Sequence, residues 1–274
     1  MEQLRVGFIS SSGRHNFKPF RNQPLVILYL LIILDEKFGK RLMPSLIDLR
    51  GVEEENILYH IPENDIFMYS VTSPDFMEIS EIVKSLRFLY PKSKHIAGGP
   101  HITLFPEESS KIFDTIVVGE GEDTIVNLIK DFLGLDLKPH YRQENIVDIN
   151  SYPYPDRKFL PKLAVVETGL LNKEYLNLRG TAALFSRGCP FRCHFCANVN
   201  YGPVRYRSPK LIEEEIEYLK RDYKIEALAL KDDNSIPVGE RIAKPILEAI
   251  GRTGIKWRGQ SRANGVHPEM VKLA

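Results

Sequence analysis

At 274 residues the chain has room for roughly two domains of about 150 residues, each able to bury a core. Its 37 basic and 36 acidic side chains nearly cancel, which removes the electrostatic case for nucleic acid as the main partner. The longest apolar run, residues 25–34, covers about half of the roughly 20 residues a membrane span needs. The opening residues lack the order of a secretion signal. All three cysteines fall in one loop, which does not make a secreted disulfide framework. A cytoplasmic chain without a membrane span is expected.

In chain order, residues 5–10 read as a short buried strand. A helix follows, with Pro24 at its start and Gly39 past its end, the usual asymmetry. Residues 42–49 and 65–71 read as strands, and residues 76–90 as a helix with Ile79, Ile82, Val83, Leu86 and Leu89 on one face. Strands at 95–97 and 115–118 then alternate with helices at 106–113 and 123–133. Strands alternating with helices predict an α/β fold with a doubly wound parallel sheet. Such sheets bind ligands beyond the carboxyl ends of their strands. That edge carries Ser70-Val71-Thr72 after the third strand, Gly98-Gly99-Pro100-His101 after the fourth and Gly119-Glu120-Gly121-Glu122 after the fifth. Each glycine pair alone serves a turn equally well; together they suggest a ligand crevice.

Residues 136–178 lose periodicity and gather Pro139, Pro153, Pro155 and Pro161, which restrict the chain to extended or turned forms. They read as a linker between a first domain, 1–135, and a second, 179–274. The second opens with a strand at 182–186 that delivers Arg187, Gly188 and the cysteine loop. Ser208-Pro209 starts a helix whose apolar stripe is Ile212, Ile216, Leu219 and Tyr223, leaving Glu213, Glu214, Glu215 and Glu217 to a solvated face. A strand at 226–230 ends in Lys231-Asp232-Asp233-Asn234. Paired carboxylates there suit acid–base chemistry or a metal, or cap the next turn. A strand at 256–262 would place Gln260 and Arg262 on one face by alternation.

The cysteine loop, Cys189-Pro-Phe-Arg-Cys193-His-Phe-Cys196, gathers the whole thiol complement within eight residues. Packing gives no reason for such a cluster. A structural zinc would need a fourth ligand, and His194, the candidate inside the loop, sits awkwardly beside Cys193. An iron–sulfur cluster normally takes four cysteines, so three leave one iron open to a substrate or cofactor.

The spacing C-x3-C-x2-C, with Phe195 before the last cysteine, resembles the signature of the radical S-adenosylmethionine (SAM) enzymes. The resemblance implies a four-iron four-sulfur (4Fe-4S) cluster on Cys189, Cys193 and Cys196. SAM would chelate its open iron through amino and carboxylate groups and be split to a 5'-deoxyadenosyl radical. Cluster potentials reaching down to about −700 mV suit that reduction, with a flavodoxin or ferredoxin as reductant. It further implies a partial β/α barrel with SAM near Phe195, Asp233, Asn234, Gln260 and Arg262, the guanidinium suiting a carboxylate. Such barrels usually have six β/α units and three are visible here, so the expectation is either a truncated form of a longer protein or a missing half that comes from elsewhere.

The first half resembles the cobalamin-binding domain that precedes the barrel in one radical SAM class. Ser70 and Thr72 match its strand-three motif, whose hydroxyls meet the nucleotide tail. Gly98 and Gly99 match glycines that let the tail pass close to backbone, and Pro100, His101, Gly119, Glu120 and Gly121 fall in its flanking segments. His101 itself is expected as a loop residue, not a cobalt ligand. The Asp-x-His-x-x-Gly motif that supplies a cobalt ligand in classical corrinoid proteins is absent; His15 lies in the right loop without matching surroundings. The expected activity is cobalamin-dependent methyl transfer to an unactivated carbon or phosphorus centre of a small-molecule or peptide substrate. Its rivals are a radical cyclase, oxidase or rearrangement enzyme with a vestigial cobalamin domain, and a non-catalytic metal-binding fragment.

Overall fold

Strand β1 (Leu4–Ser10) lies inside a six-stranded sheet with β2 (Leu42–Asp48), β3 (Ile66–Ser70), β4 (Lys94–Gly98), β5 (Thr115–Val118) and β6 (His140–Arg142). The spatial order is β2-β1-β3-β4-β5-β6, and every pairing is parallel. The computed structural model describes residues 3–197, 203–237, 239–263 and 267–273. Two compact units divide the chain: one comprises the residues up to Phe20, Val26–Val147 and Pro155–Leu160, the other Arg21–Leu25, Asp148–Tyr154 and the chain from Pro161. Among the described residues no helix is long and apolar enough to cross a membrane.

In the first unit, consecutive residues Ile66, Phe67, Met68 and Tyr69 are all buried, as a parallel sheet covered on both faces requires. Helix α1 (Leu25–Phe38) is apolar nearly all round, which explains its unbroken hydrophobic run. Helix α2 (Phe76–Leu89) packs Ile79, Ile82, Val83 and Leu86 into one core with Phe67, Tyr69 and Ile102. The helix expected at 106–113 is instead two short ones, α3 (Pro100–Leu104) and α4 (Pro106–Ser109). Pro106 cannot continue α3 because it has no N–H to donate. His101 is therefore a helical, buried residue and not part of a loop. Helix α5 (Glu122–Leu133) leads to β6, which falls in the stretch read as a linker. With three residues, of which only Tyr141 is buried, β6 offers no alternation to detect.

The second unit starts with the short helix α6 (Lys162–Val165) and β7 (Gly180–Ala183), then a two-stranded antiparallel ladder of β8 (Ser186–Arg187) and β9 (Arg205–Tyr206). Helix α7 (Pro209–Tyr223), β10 (Ala227–Leu230), helix α8 (Glu240–Arg252), β11 (Lys256–Arg258) and α9 (Pro268–Leu273) complete it. Its main sheet is parallel, in the order β11-β10-β7. Ile212, Ile216 and Leu219 of α7 and Ile246 and Ile250 of α8 cover Ala183, Leu228 and Leu230. The Ser208 hydroxyl caps α7 by accepting from Leu211 N.

Three expectations change here. The strand expected at 182–186 breaks after Ala183, and Ser186 belongs to the ladder. The strand expected at 256–262 stops at Arg258, so alternation does not place Gln260 and Arg262 on a shared face. Glu215, expected in solvent, is fully buried; one position in that acidic run turns inward with the stripe.

Candidate functional site

The cysteine loop is held at its base by a carboxylate. Directly after β10, Asp232 accepts from Phe185 N at 2.9 Å and from Ser186 Oγ at 2.6 Å, and Arg207 N donates to Phe185 O at 2.7 Å. These bonds fix the chain just before Gly188, whose φ of +89° suits glycine and turns the backbone into the loop. Asp232 is 4% exposed. Burial pushes its carboxyl up to about 6 despite the donated hydrogen bonds. Beside it, burial, Asp232 and Cys189 push the Tyr206 phenol up to about 12.

Cys189 and Cys193 are half-buried, Cys196 is exposed, and none forms a disulfide. Cys196 N donates to Cys193 O at 3.0 Å, closing a tight turn. Arg262 donates from Nη1 to Cys193 Sγ at 2.9 Å and lies 3.9 Å above the Phe191 ring. Asn234, nearly fully buried, accepts from Ser261 Oγ at 3.0 Å and from Arg262 N at 3.2 Å. It thereby positions the backbone that carries the arginine.

Of the residues expected around SAM, the structure brings Arg262 to the cysteine loop and Asn234 to the backbone of Arg262. Gln260 is tied through its backbone to Ser235, donating from N to Oγ at 3.1 Å and accepting from Ser235 N at 2.7 Å. Asp233 is exposed, and Phe195 is 92% exposed. Sequence reasoning missed Asp232 by favouring its neighbour. The signal was present: 228, 230 and 232 share one parity of β10 and its extension, and the first two are core leucines.

Among the described residues no three His, Cys, Asp or Glu side chains are gathered closely enough to hold one metal ion. The donor set nonetheless suits an iron–sulfur cluster: three free thiols on one loop, two of them partly shielded, with a guanidinium on one sulfur. Cys189, Cys193 and Cys196 would hold such a cluster as separate thiolate donors rather than converge on one ion.

In the first unit, Gly99 has φ +103°, and a Cβ there would stand 2.7 Å from Val71 N. The close crossing arises because Val71 N donates to Gly98 O at 2.8 Å and His101 N to Val71 O at 3.0 Å. Pro100 is exposed at the start of α3. His101 stacks on Phe76 with ring centroids 4.0 Å apart and pairs its Nδ1 with Ser73 Oγ at 3.1 Å; burial lowers its pKa. Ser70 is half-buried at the end of β3, while the Thr72 hydroxyl is donated to the Asp75 carboxylate. Gly119 N donates to Thr103 Oγ1 at 3.1 Å, and Glu120 N donates to Gln143 Oε1 at 2.8 Å; Gly121 precedes α5. His15 Nδ1 lies 3.6 Å from Asp75 Oδ1. The space left by the missing side chains at Gly99 and Gly98 is taken up by Val71 and Val117 of the chain itself, and the Thr72 hydroxyl is already engaged.

No protein-family profile matches the chain. It is 26% identical over 276 residues to an uncharacterized methyltransferase of Pyrococcus horikoshii, covering 91% of this chain and 57% of that protein. It is 26% identical over 220 residues to an anaerobic magnesium-protoporphyrin IX monomethyl ester cyclase of Cereibacter sphaeroides, covering 74% and 36%. It is 26% identical over 215 residues to the cobalamin-dependent radical SAM methyltransferase TokK of Streptomyces tokunonensis, covering 71% and 31%. The fold matches the solved structure of the cobalamin-dependent S-adenosylmethionine radical enzyme OxsB with aqua-cobalamin bound, at a TM-score of 0.66 and 20% identity, over 99% of this chain and 42% of that one. The α/β architecture expected from the sequence is thus shared with that structure over nearly the whole chain. The chain spans 57% or less of the length of these curated relatives.

Proposed function

We propose, from the kinship of this chain with methyltransferases that include a cobalamin-dependent radical SAM enzyme, that it carries a 4Fe-4S cluster on Cys189, Cys193 and Cys196 and cleaves SAM. The proposed outcome is cobalamin-dependent methyl transfer to an unactivated carbon or phosphorus centre. The main support is the placement of the entire thiol complement on one loop beyond a strand of a parallel β/α sheet, with Arg262 donating to Cys193 Sγ at 2.9 Å. When bound, the cluster supplies a low-potential electron and cobalamin a methyl group. The chain's own residues bind and orient. The thiols anchor, Asp232 holds the strand end that feeds the loop, and Asn234 sets the position of Arg262. Asp233, Phe195 and Gln260 complete the proposed SAM set. Ser70, Gly98, Gly99 and the 119–121 turn form the proposed cobalamin edge. In this reading residues 1–135 are the cobalamin domain, 136–178 the connector and 179–274 barrel, with a flavodoxin or ferredoxin as electron donor.

Anaerobic reconstitution of the chain tests the proposal. Iron and acid-labile sulfide in cluster proportion are expected, with 5'-deoxyadenosine formed from SAM, and Cys193→Ala should abolish cleavage. Unimpaired cleavage by that variant, or one zinc and no iron, ends it; the zinc result would favour a non-catalytic metal-binding role. The cyclase relative favours a second reading, radical cyclisation, oxidation or rearrangement without methyl transfer. Corrinoid retention after reconstitution separates the two, since a chain that keeps the cluster but no corrinoid supports the second.

A further inference from the structure

The β7, β10 and β11 sheet has two unlike faces. Ala183, Leu228 and Leu230 join the core under α7 and α8, and Trp257 packs against that core. Positions of the other parity, Ala182, Ala227 and Ala229 with Lys256 and Arg258 in register beside them, lie on the opposite face. Lys231 extends the same row beyond Ala229. Small residues thus pave this face, and cations stand at its edge. Lys231 donates from Nζ to Asn22 Oδ1 at 3.0 Å. Next to Asn22, Arg21 donates to Gly169 O at 2.9 Å while its Nε is buried without a hydrogen-bond partner. Burial and the charges of Arg258 and Arg21 lower the Lys231 pKa, and no carboxylate acts to raise it. Among the described residues, Arg21, Lys231, Lys256 and Arg258 enter no ion pair. A cavity of about 540 Å³ is lined by two of these cations, Lys256 and Arg258, and walled by Tyr175, Trp257 and Leu171.

Like charges gathered without a counter-charge repel one another, and an entering anion relieves that repulsion. We propose that the β11 edge of this sheet is an anion subsite, in which Arg258, with Lys231 and Arg21 behind it, takes a carboxylate or phosphate of an organic substrate whose apolar body rests on Tyr175 and Trp257. Calling the ligand a substrate rests on the proposed function; the binding itself does not.

Trp257 is the chain's single tryptophan, so its fluorescence reports on the site. The full chain as purified is titrated with inorganic pyrophosphate, with phthalate, and with dimethyl phthalate as the uncharged control. Saturable changes are expected with both anions, weakening with added salt, and none with the ester. Arg258→Gln and Lys231→Gln should each weaken phthalate binding by about tenfold, the scale of one charge-assisted contact. Lys210→Gln, on an exposed face of α7, should leave it unchanged. Absence of saturation, or equal affinity in all variants with unaltered circular dichroism, overturns the subsite. Displacement of phthalate by SAM but not by 5'-methylthioadenosine, which lacks the carboxylate, would assign the subsite to the cofactor and overturn the substrate claim. Iron and sulfide content tests the cluster separately, so either proposal can fail alone.

Discussion

Asp232→Asn probes the buried carboxyl at the base of the cysteine loop. In the folded chain this group is pushed up to about 6 from an ordinary 3.8, chiefly by burial. Its folded form therefore binds a proton more tightly than its unfolded form. Stability contributed by this group is greatest below about pH 4, falls as pH rises between 3.8 and about 6, and is level above. That gap corresponds to about 3 kcal/mol lost at neutral pH. Asparagine keeps an acceptor for Phe185 N and Ser186 Oγ but no charge, and the weaker acceptor costs about 1 kcal/mol. The variant should therefore be about 2 kcal/mol more stable than the parent at pH 8 and about 0.5 kcal/mol less stable at pH 4, where the unfolded carboxyl is already partly ionised. Asp232→Ala, which leaves both donors unmet, should fall at least about 2 kcal/mol below the asparagine variant. Urea unfolding midpoints at constant m value, taken from pH 4 to pH 8, measure this directly. Parallel pH profiles for parent and Asp232→Asn would refute the reasoning, since a carboxyl that titrates normally when folded leaves no difference in slope.

His95 should act with the opposite sign: fully buried, stacked on Phe67 and paired with Tyr69 Oη at 2.9 Å, it is lowered to about 4 mainly by burial. It is neutral when folded, so its contribution is intact above 6.5 and lost as pH falls from there towards 4, and His95→Gln should flatten the acid limb of the same urea profile. Gly99→Ala should cost at least about 2 kcal/mol in urea unfolding, because φ +103° is strained for alanine and its Cβ would meet the Val71 backbone; a loss under about 0.5 kcal/mol would contradict the close crossing. Arg262→Lys keeps the charge but loses the planar stack on Phe191. Reconstituted beside the parent, it should show SAM cleavage reduced by about tenfold, and full activity would remove the guanidinium from the site.

Where the sequence was legible, the reason is periodicity. Residues of α2 and α7 repeat at helical spacing, and the first-unit strands are apolar runs bounded by turns. The short elements escaped: β6, β8 and β9 hold two or three residues each, too few to express a period. The same limit explains Gln260 and Arg262, whose shared face was inferred from a strand that ends at Arg258. Asp232 was passed over because two adjacent carboxylates look alike in a string, while burial distinguishes them by facing one towards the core and the other towards water.

Spacing along the chain was enough to single out the cysteine loop, because ligands within eight residues of one another need no help from the fold to share a site. It was enough for the parallel α/β order too, since alternating elements leave few topologies open. Which side chains meet the loop from far along the chain was a tertiary matter. Arg262 reaches Cys193 and Asp232 reaches Ser186 because parallel pairing brings the ends of β7 and β10 to one edge, where the loop that follows β11 also arrives. The gathering of Lys231 and Arg258 with Arg21 is likewise invisible in a composition that balances almost exactly to neutrality. Local charge depends on where strands place their ends, and only packing decides that.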